Sequence, residues 1–197
     1  EEWWYKRWTI NPSVPLGKKF IEPVLIGKEF TTDDWPLSQA HQALVHWRVL
    51  SYIRESGAFA GFSTAVLRDC LNFYMGLVDH RGRGKLVFFL DRSMLQPLFI
   101  SAMHGNFSYK RQDDLSITVS NSGPMLKDGK LTIKVTNEKG GTVEEKTITG
   151  LTLPQGLTHG LSYEIQHLPS GLYAFEYRLY DGKGNEAGCS LDMFFIE

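Results

Sequence analysis

The sequence lacks a surplus of charge of either sign. Its 197 residues hold 21 Lys and Arg against 22 Asp and Glu, a net charge of −1. With no basic surplus, neither a nucleic acid nor an anionic membrane surface is expected as a partner. No apolar run approaches the roughly 18 residues that a membrane span needs. Metal-binding patterns are missing as well. The six histidines form no HExxH and no paired spacing, so neither a metal nor a cofactor is expected. "GRGK", ending at Lys85, is too short for a phosphate loop, and "GKGNEAG", Gly182 to Gly188, reads as a glycine-rich hairpin rather than a dinucleotide fingerprint. No Ser or Cys sits in a nucleophile elbow, which removes a charge-relay reading of Asp79-His80-Arg81. Cysteine is scarce too. Cys70 and Cys189 stand far apart and read as two free thiols.

Apolar and aromatic residues, by contrast, are plentiful. At 42% hydrophobic and 13% aromatic the chain can bury a substantial core. All five tryptophans, Trp3, Trp4, Trp8, Trp35 and Trp47, precede residue 48. Composition changes near "MHGNFSYKRQDD", and a domain boundary is placed at Gly105, giving domains 1–105 and 106–197. The second domain reads as strands. Leu115 to Val119 and Leu131 to Val135 alternate apolar with polar, as does Val143 to Ile148 more loosely, and period two marks a half-buried strand. Leu161–Ile165, Leu172–Tyr180, Ala187–Ile196 and a short piece at Phe107–Lys110 bring the count to seven. "NEKGGT" and "DGKGNE" supply Asn and Gly where a hairpin needs positive φ. Seven short strands in about 90 residues is the count of an all-β immunoglobulin-like sandwich.

The first domain reads as α/β. "DDWPLSQAHQALVHWRVLSYIRESG" predicts a helix, with Asp34 as cap, Pro36 in the first turn and Gly57 as the stop. Leu37, Ala40, Leu44, Trp47, Leu50 and Ile53 share one face, and Gln42, His46 and Arg54 lie opposite. Apolar runs flank the helix: Val24-Leu25-Ile26 before it and "GAFAGFSTAVLRD", Gly57 to Asp69, after it. That pattern is a parallel β-α-β unit. The runs end in Glu29 and Asp69, and carboxyl ends of parallel strands are where α/β folds bind ligands. On its own, Glu29 reads either as a working carboxylate or as a strand-end charge paired with Lys28 or Arg68. Asp69 reads either as an acceptor for a substrate hydroxyl or as a cap or a partner of Arg68. Trp35, beside Asp33 and Asp34, suits a pocket mouth or a helix staple.

The order of these segments resembles a known family. A strand ending in Lys-Glu-Phe, a "QAHQ" helix, a strand ending in Leu-Arg-Asp, "MGLVDHRGRGK" (Met75 to Lys85) and then a sandwich are similar to the C-terminal part of glycoside hydrolases of the family 2 type. The resemblance covers about residues 20–120. It implies that the first domain is the last strands and helices of a TIM-barrel-like (β/α)8 domain. It makes Glu29 the catalytic nucleophile, with Asp69 and Trp35 as substrate-binding residues for a carbohydrate with a β-glycosidic bond. A retaining glycosidase needs a second carboxyl about 5–5.5 Å away as acid/base. The family carries it in an Asn-Glu pair. Here Asn137-Glu138 and Asn185-Glu186 both fall in hairpins, so the acid/base is expected from sequence outside this chain. A whole barrel takes roughly 250 residues. The chain is therefore expected to begin inside a longer polypeptide, to be inactive alone, and to need the missing upstream domain or a second copy of itself to cover its open edges. The alternative expectation is a non-catalytic carbohydrate-binding or structural β-sandwich module.

Overall fold

The computed structural model describes residues 37–64, 66–69, 76–102 and 108–197. The chain divides into two compact units. One runs up to Leu50 and resumes over Phe59–Met94; the other joins Ser51–Ala58 to Leu95–Glu197. The expected strand at Val24–Ile26 lies outside the described residues, as do Glu29 and Trp35.

Helix α1, Leu37–Ser56, forms as the sequence predicts. It stops where Gly57 turns to φ +61°, the left-handed position that glycine adopts without a Cβ clash. Ser56 assists: its hydroxyl donates to the Ile53 carbonyl and accepts from the Ala58 amide, both at 3.3 Å. Trp47 and Leu50 are buried as expected, together with Ala43 and Ser51, while Ile53 is half-buried. Gln42, His46 and Arg54 are not a solvated face. They are half-buried, and Arg54 donates to the carbonyls of Gln96, Pro97 and Ser120 at 3.0–3.3 Å.

The run after the helix departs from expectation. Residues 57–63 are exposed and form no ladder. Pairing shrinks to a single parallel bridge between Arg68 and Val78. A parallel strand needs cover on both faces, yet Phe59 and Phe62 are 51% and 38% exposed. A second helix, α2 (Leu86–Met94), buries Leu86, Val87, Phe89, Leu90, Asp91 and Met94.

The second unit is a β-sandwich. Its strands are β1 (Leu98–Ser101), β2 (Ser108–Tyr109), β3 (Asp114–Asn121), β4 (Leu126–Asn137), β5 (Thr142–Leu153), β6 (Gly156–Glu164), β7 (Gly171–Tyr180) and β8 (Glu186–Ile196). One sheet has the order β1-β3-β6 and the other β2-β8-β7-β4-β5. All seven predicted strands are present; β1 is additional and precedes Gly105. Period two builds the core. Leu131, Ile133 and Val135 on β4 stand opposite Leu179, Tyr177 and Phe175 on β7, and all six are fully buried. Each such aliphatic side chain contributes about 1.5–3 kcal/mol by leaving water. β5, an edge strand of its sheet, keeps little of its alternation: only Leu153 is buried.

Candidate functional site

Of the residues singled out in the sequence for a site, Asp69 lies in the described part of the first unit, and it is enclosed there. Its side chain is 9% exposed and that of Lys85 5%. The Lys85 ammonium donates to both carboxylate oxygens, at 3.2 and 3.3 Å. The Gly76 amide donates to Oδ1 at 2.8 Å. Backbone bonds run alongside: the Asp69 amide to the Val78 carbonyl at 2.9 Å, and the Val78 amide to the Leu67 carbonyl at 3.0 Å. Glycine is required at position 76, since a Cβ there would sit 2.5 Å from the Asp69 nitrogen. Gln42 of α1 reaches the Gly76 carbonyl at 3.3 Å. His46 of α1 pairs through Nδ1 with Asp91 of α2 at 3.1 Å. Asp69 thus fastens residues 67–69 to 76–78 and to Lys85 at the start of α2. A sugar hydroxyl would reach this carboxylate only in competition with Lys85 and the Gly76 amide.

Between the two ends of this clamp lies a tight turn. Asp79 Oδ1 accepts from the Arg81 and Arg83 amides at 2.8 and 2.9 Å, and Oδ2 accepts from Arg83 Nε at 2.6 Å. Burial is the largest single effect and opposes ionisation, but the Arg83 amide, the Arg83 guanidinium and the Arg81 amide together outweigh it. They hold the Asp79 carboxyl at about 2. Arg68 Nε donates to the His80 carbonyl at 3.1 Å. His80, Arg81, Gly82 and Arg83 form an exposed basic tip. Asp79 is therefore a turn-former. The sequence singled out Met75 to Lys85 as a segment but did not couple Lys85 to Asp69, 16 residues away.

The sandwich unit carries its own polar groups. His167 Nε2 meets Glu144 Oε2 at 2.6 Å. The Tyr163 hydroxyl and His167 together hold Glu144 below the usual carboxylate range, against a smaller effect of burial. A cleft of about 280 Å³ is bounded by Pro97, Leu98, Asn121, Met125, Lys127 and Asp181, among others. Asn121 donates to the Pro124 and Leu153 carbonyls, and Asp181 holds the β7–β8 turn. Cys189 is in no disulfide, as expected. Burial pushes it up to about 12 despite Arg178, so it is a poor nucleophile. Cys70 lies outside the described residues. Among the described residues no group of three or more His, Cys, Asp or Glu could hold a metal, and no helix is long and apolar enough to cross a membrane.

No family model and no curated protein sequence matches the chain. Solved structures do. Amycolatopsis orientalis exo-chitosanase CsxA, in complex with PNP-β-D-glucosamine, is similar with a TM-score of 0.62 at 17% identity, over 90% of this chain and 21% of that one. The same exo-β-D-glucosaminidase, inhibited by a glucosamine-configured castanospermine, gives the same values. The β-D-mannosidase of Dictyoglomus thermophilum is similar at a TM-score of 0.52 and 14% identity, over 81% of this chain and 19% of that one. The chain spans about a fifth of the length of these proteins. At such identities the likeness is one of fold, and it is a fold that β-glycosidases use.

Proposed function

We propose that this chain is the C-terminal section of a glycoside hydrolase that cleaves β-glycosidic bonds, the end of a (β/α)8 barrel followed by an immunoglobulin-like sandwich. One observation carries the reading: the likeness to the exo-chitosanase extends over 90% of the chain. The region assigned to the sandwich, 106–197, is under half of it, so the likeness includes the part assigned to the barrel. The motif order from Lys-Glu-Phe through "MGLVDHRGRGK" supports the same conclusion independently. In this reading Glu29 attacks the anomeric carbon and forms a covalent glycosyl-enzyme, which water then hydrolyses. The acid/base comes from upstream sequence. Trp35 stacks on the sugar at the pocket mouth. Asp69 accepts a substrate hydroxyl in this reading, in competition with Lys85 and the Gly76 amide that already hold it. Sugar and partners follow the parent enzyme: a carbohydrate substrate, with an upstream domain or a second copy covering the open edges.

The test uses the native polypeptide that carries this sequence, purified from its source, and a panel of aryl β-glycosides. Glu29→Gln should lower kcat by roughly 10⁴-fold or more, the scale seen when a covalent nucleophile is removed. Robust turnover that survives Glu29→Gln would remove the assignment. The 197-residue chain alone should turn over none of the panel.

A further inference from the structure

The tripeptide Asp-Gly-Lys occurs twice in the sandwich unit, as Asp128-Gly129-Lys130 on β4 and as Asp181-Gly182-Lys183 in the β7–β8 turn. An aspartate followed by glycine is prone to close on itself, because no Cβ shields the next amide from the side-chain carboxyl. The two copies share their local chemistry, so the fold decides which of them reacts.

The second copy is held. Asp181 Oδ1 accepts from the Lys183 and Asn185 amides, both at 2.8 Å, and Oδ2 accepts from Asn185 Nδ2 at 3.0 Å. The Asn185 side chain and amide, with a smaller share from Lys183, keep this carboxyl below the usual carboxylate range against burial. A carboxylate fixed as an ionised acceptor is a poor electrophile, and its oxygens are committed to amides two and four residues on. The first copy is not held. Asp128 is exposed, and among the described residues its carboxyl has no hydrogen bond or ion pair. Its φ is +52°, the one left-handed non-glycine among the described residues, and an L residue is strained there. The β4–β5 register shifts on both sides of Gly129, and Lys127 and Asp128 have no paired residue on β5 or β7. The ladder is thus interrupted at a bulge. Gly129 is buried, but ring closure is intramolecular and needs no path from solvent to its amide.

We propose that Asp128-Gly129 is a site of spontaneous aspartate isomerisation in the folded protein, and that Asp181-Gly182 is not. The Gly129 amide nitrogen attacks Cγ of the protonated Asp128 carboxyl. A C–N bond forms, a C–O bond breaks, and the hydroxyl leaves with the amide proton as water, giving a succinimide. Water then opens the ring. Cleavage at Cγ restores aspartate; cleavage at the main-chain carbonyl carbon leaves the chain running through Cγ, as isoaspartate with a free α-carboxylate. No oxidant or co-reactant is consumed. The product lengthens the β4 main chain by one methylene where the β7–β8 turn lies against it: a Cβ on Gly182 would stand 3.2 Å from Asp128 Cβ and 3.3 Å from the Lys127 carbonyl oxygen. The inference is independent of the glycosidase reading.

The experiment ages the full 197-residue chain, folded, at neutral pH in heavy-oxygen water. Mass spectrometry of proteolytic peptides then follows each copy. Isoaspartate is read from uptake of one heavy oxygen, from resistance to an endoprotease that cuts before aspartate, and from methylation by an isoaspartyl carboxyl methyltransferase with S-adenosylmethionine. Conversion at position 128 should exceed that at 181 several-fold in the folded chain, and the two should converge in denaturant. Asp128→Gly, which accepts the left-handed backbone but has no carboxyl, should abolish the signal at 128. Asp128→Asn should react faster, with ammonia as the leaving group. A folded chain that shows no isoaspartate at 128, or as much at 181, overturns the proposal. So does a preference for 128 that persists in denaturant, since it would then belong to the flanking sequence.

Discussion

Lys85→Met is the sharpest perturbation of the first unit. It removes the ammonium but keeps most of the side-chain volume. Among the described residues, the Asp69 carboxylate is left with the Gly76 amide and no counter-charge. Both side chains are under a tenth exposed, so the discount for solvent screening that applies to surface pairs is small here. Removing one partner of a buried pair costs about 3–5 kcal/mol, mostly through the charge left behind. The surviving amide bond at 2.8 Å argues for the lower end. With a urea slope of about 2 kcal/mol/M, the midpoint should fall by roughly 1.5–2 M. Tryptophan fluorescence is the readout, since all five tryptophans precede residue 48 and the sandwich contributes none. Lys85→Met with Asp69→Asn should recover much of the loss, because the stranded charge is gone. A shift under about 0.5 M for Lys85→Met, or strictly additive losses in the double variant, would show that the pair behaves as a surface one and that Asp69 does not anchor the loop.

Two further outcomes follow from the geometry. Gly184 sits at φ +85° with open space around it, so Gly184→Ala should cost about 1–2 kcal/mol from backbone strain alone, seen as a lower thermal midpoint of the sandwich; an unchanged midpoint would mean that the turn is not held left-handed. Cys189, raised to about 12 by burial, should resist alkylation at pH 8 in a Cys70→Ser background and react on addition of denaturant; prompt labelling of the folded chain would contradict the burial.

How far the sandwich was legible follows from its physics. β4 and β7 each place alternate residues in one core, so Leu131, Ile133 and Val135 announce themselves. β1 is only Leu98-Phe99-Ile100-Ser101, and all four residues are buried. It has no alternation to detect and looks like the tail of the preceding apolar run. β5 shows the converse: it was found as a strand, but most of its side chains on both faces are exposed, and its weak period gave no guide to burial. On α1 the stop at Gly57 was legible because a left-handed C-terminal residue is a local requirement. The fate of His46 and Arg54 was not, since Asp91 and the Gln96, Pro97 and Ser120 carbonyls are distant in sequence.

The same division between local and distant causes governs the site. Asp69 was singled out for standing at the end of an apolar run, yet what occupies its carboxylate is an ammonium 16 residues on and an amide 7 residues on, and no spacing rule links them. Asp79 is the opposite case. The Asp79, Asn137 and Asp181 side chains each accept from the amides two and four residues ahead. Each is followed at the third position by a left-handed glycine, Gly82, Gly140 and Gly184, with φ between +81° and +85°. In each, the residue's own amide donates to the carbonyl four ahead, and that glycine's amide donates back to its carbonyl. Two of the three were read as hairpin turns. The third, embedded in Asp-His-Arg, drew a catalytic comparison because its residue types are those of active sites. The glycine three residues on decides between the readings. It marks a side-chain oxygen whose acceptor capacity is spent on its own backbone, which is also why Asp79 stays ionised down to about 2. A depressed carboxyl with this spacing reports a turn, and the search for chemistry belongs with carboxylates that lack it, Glu29 first among them.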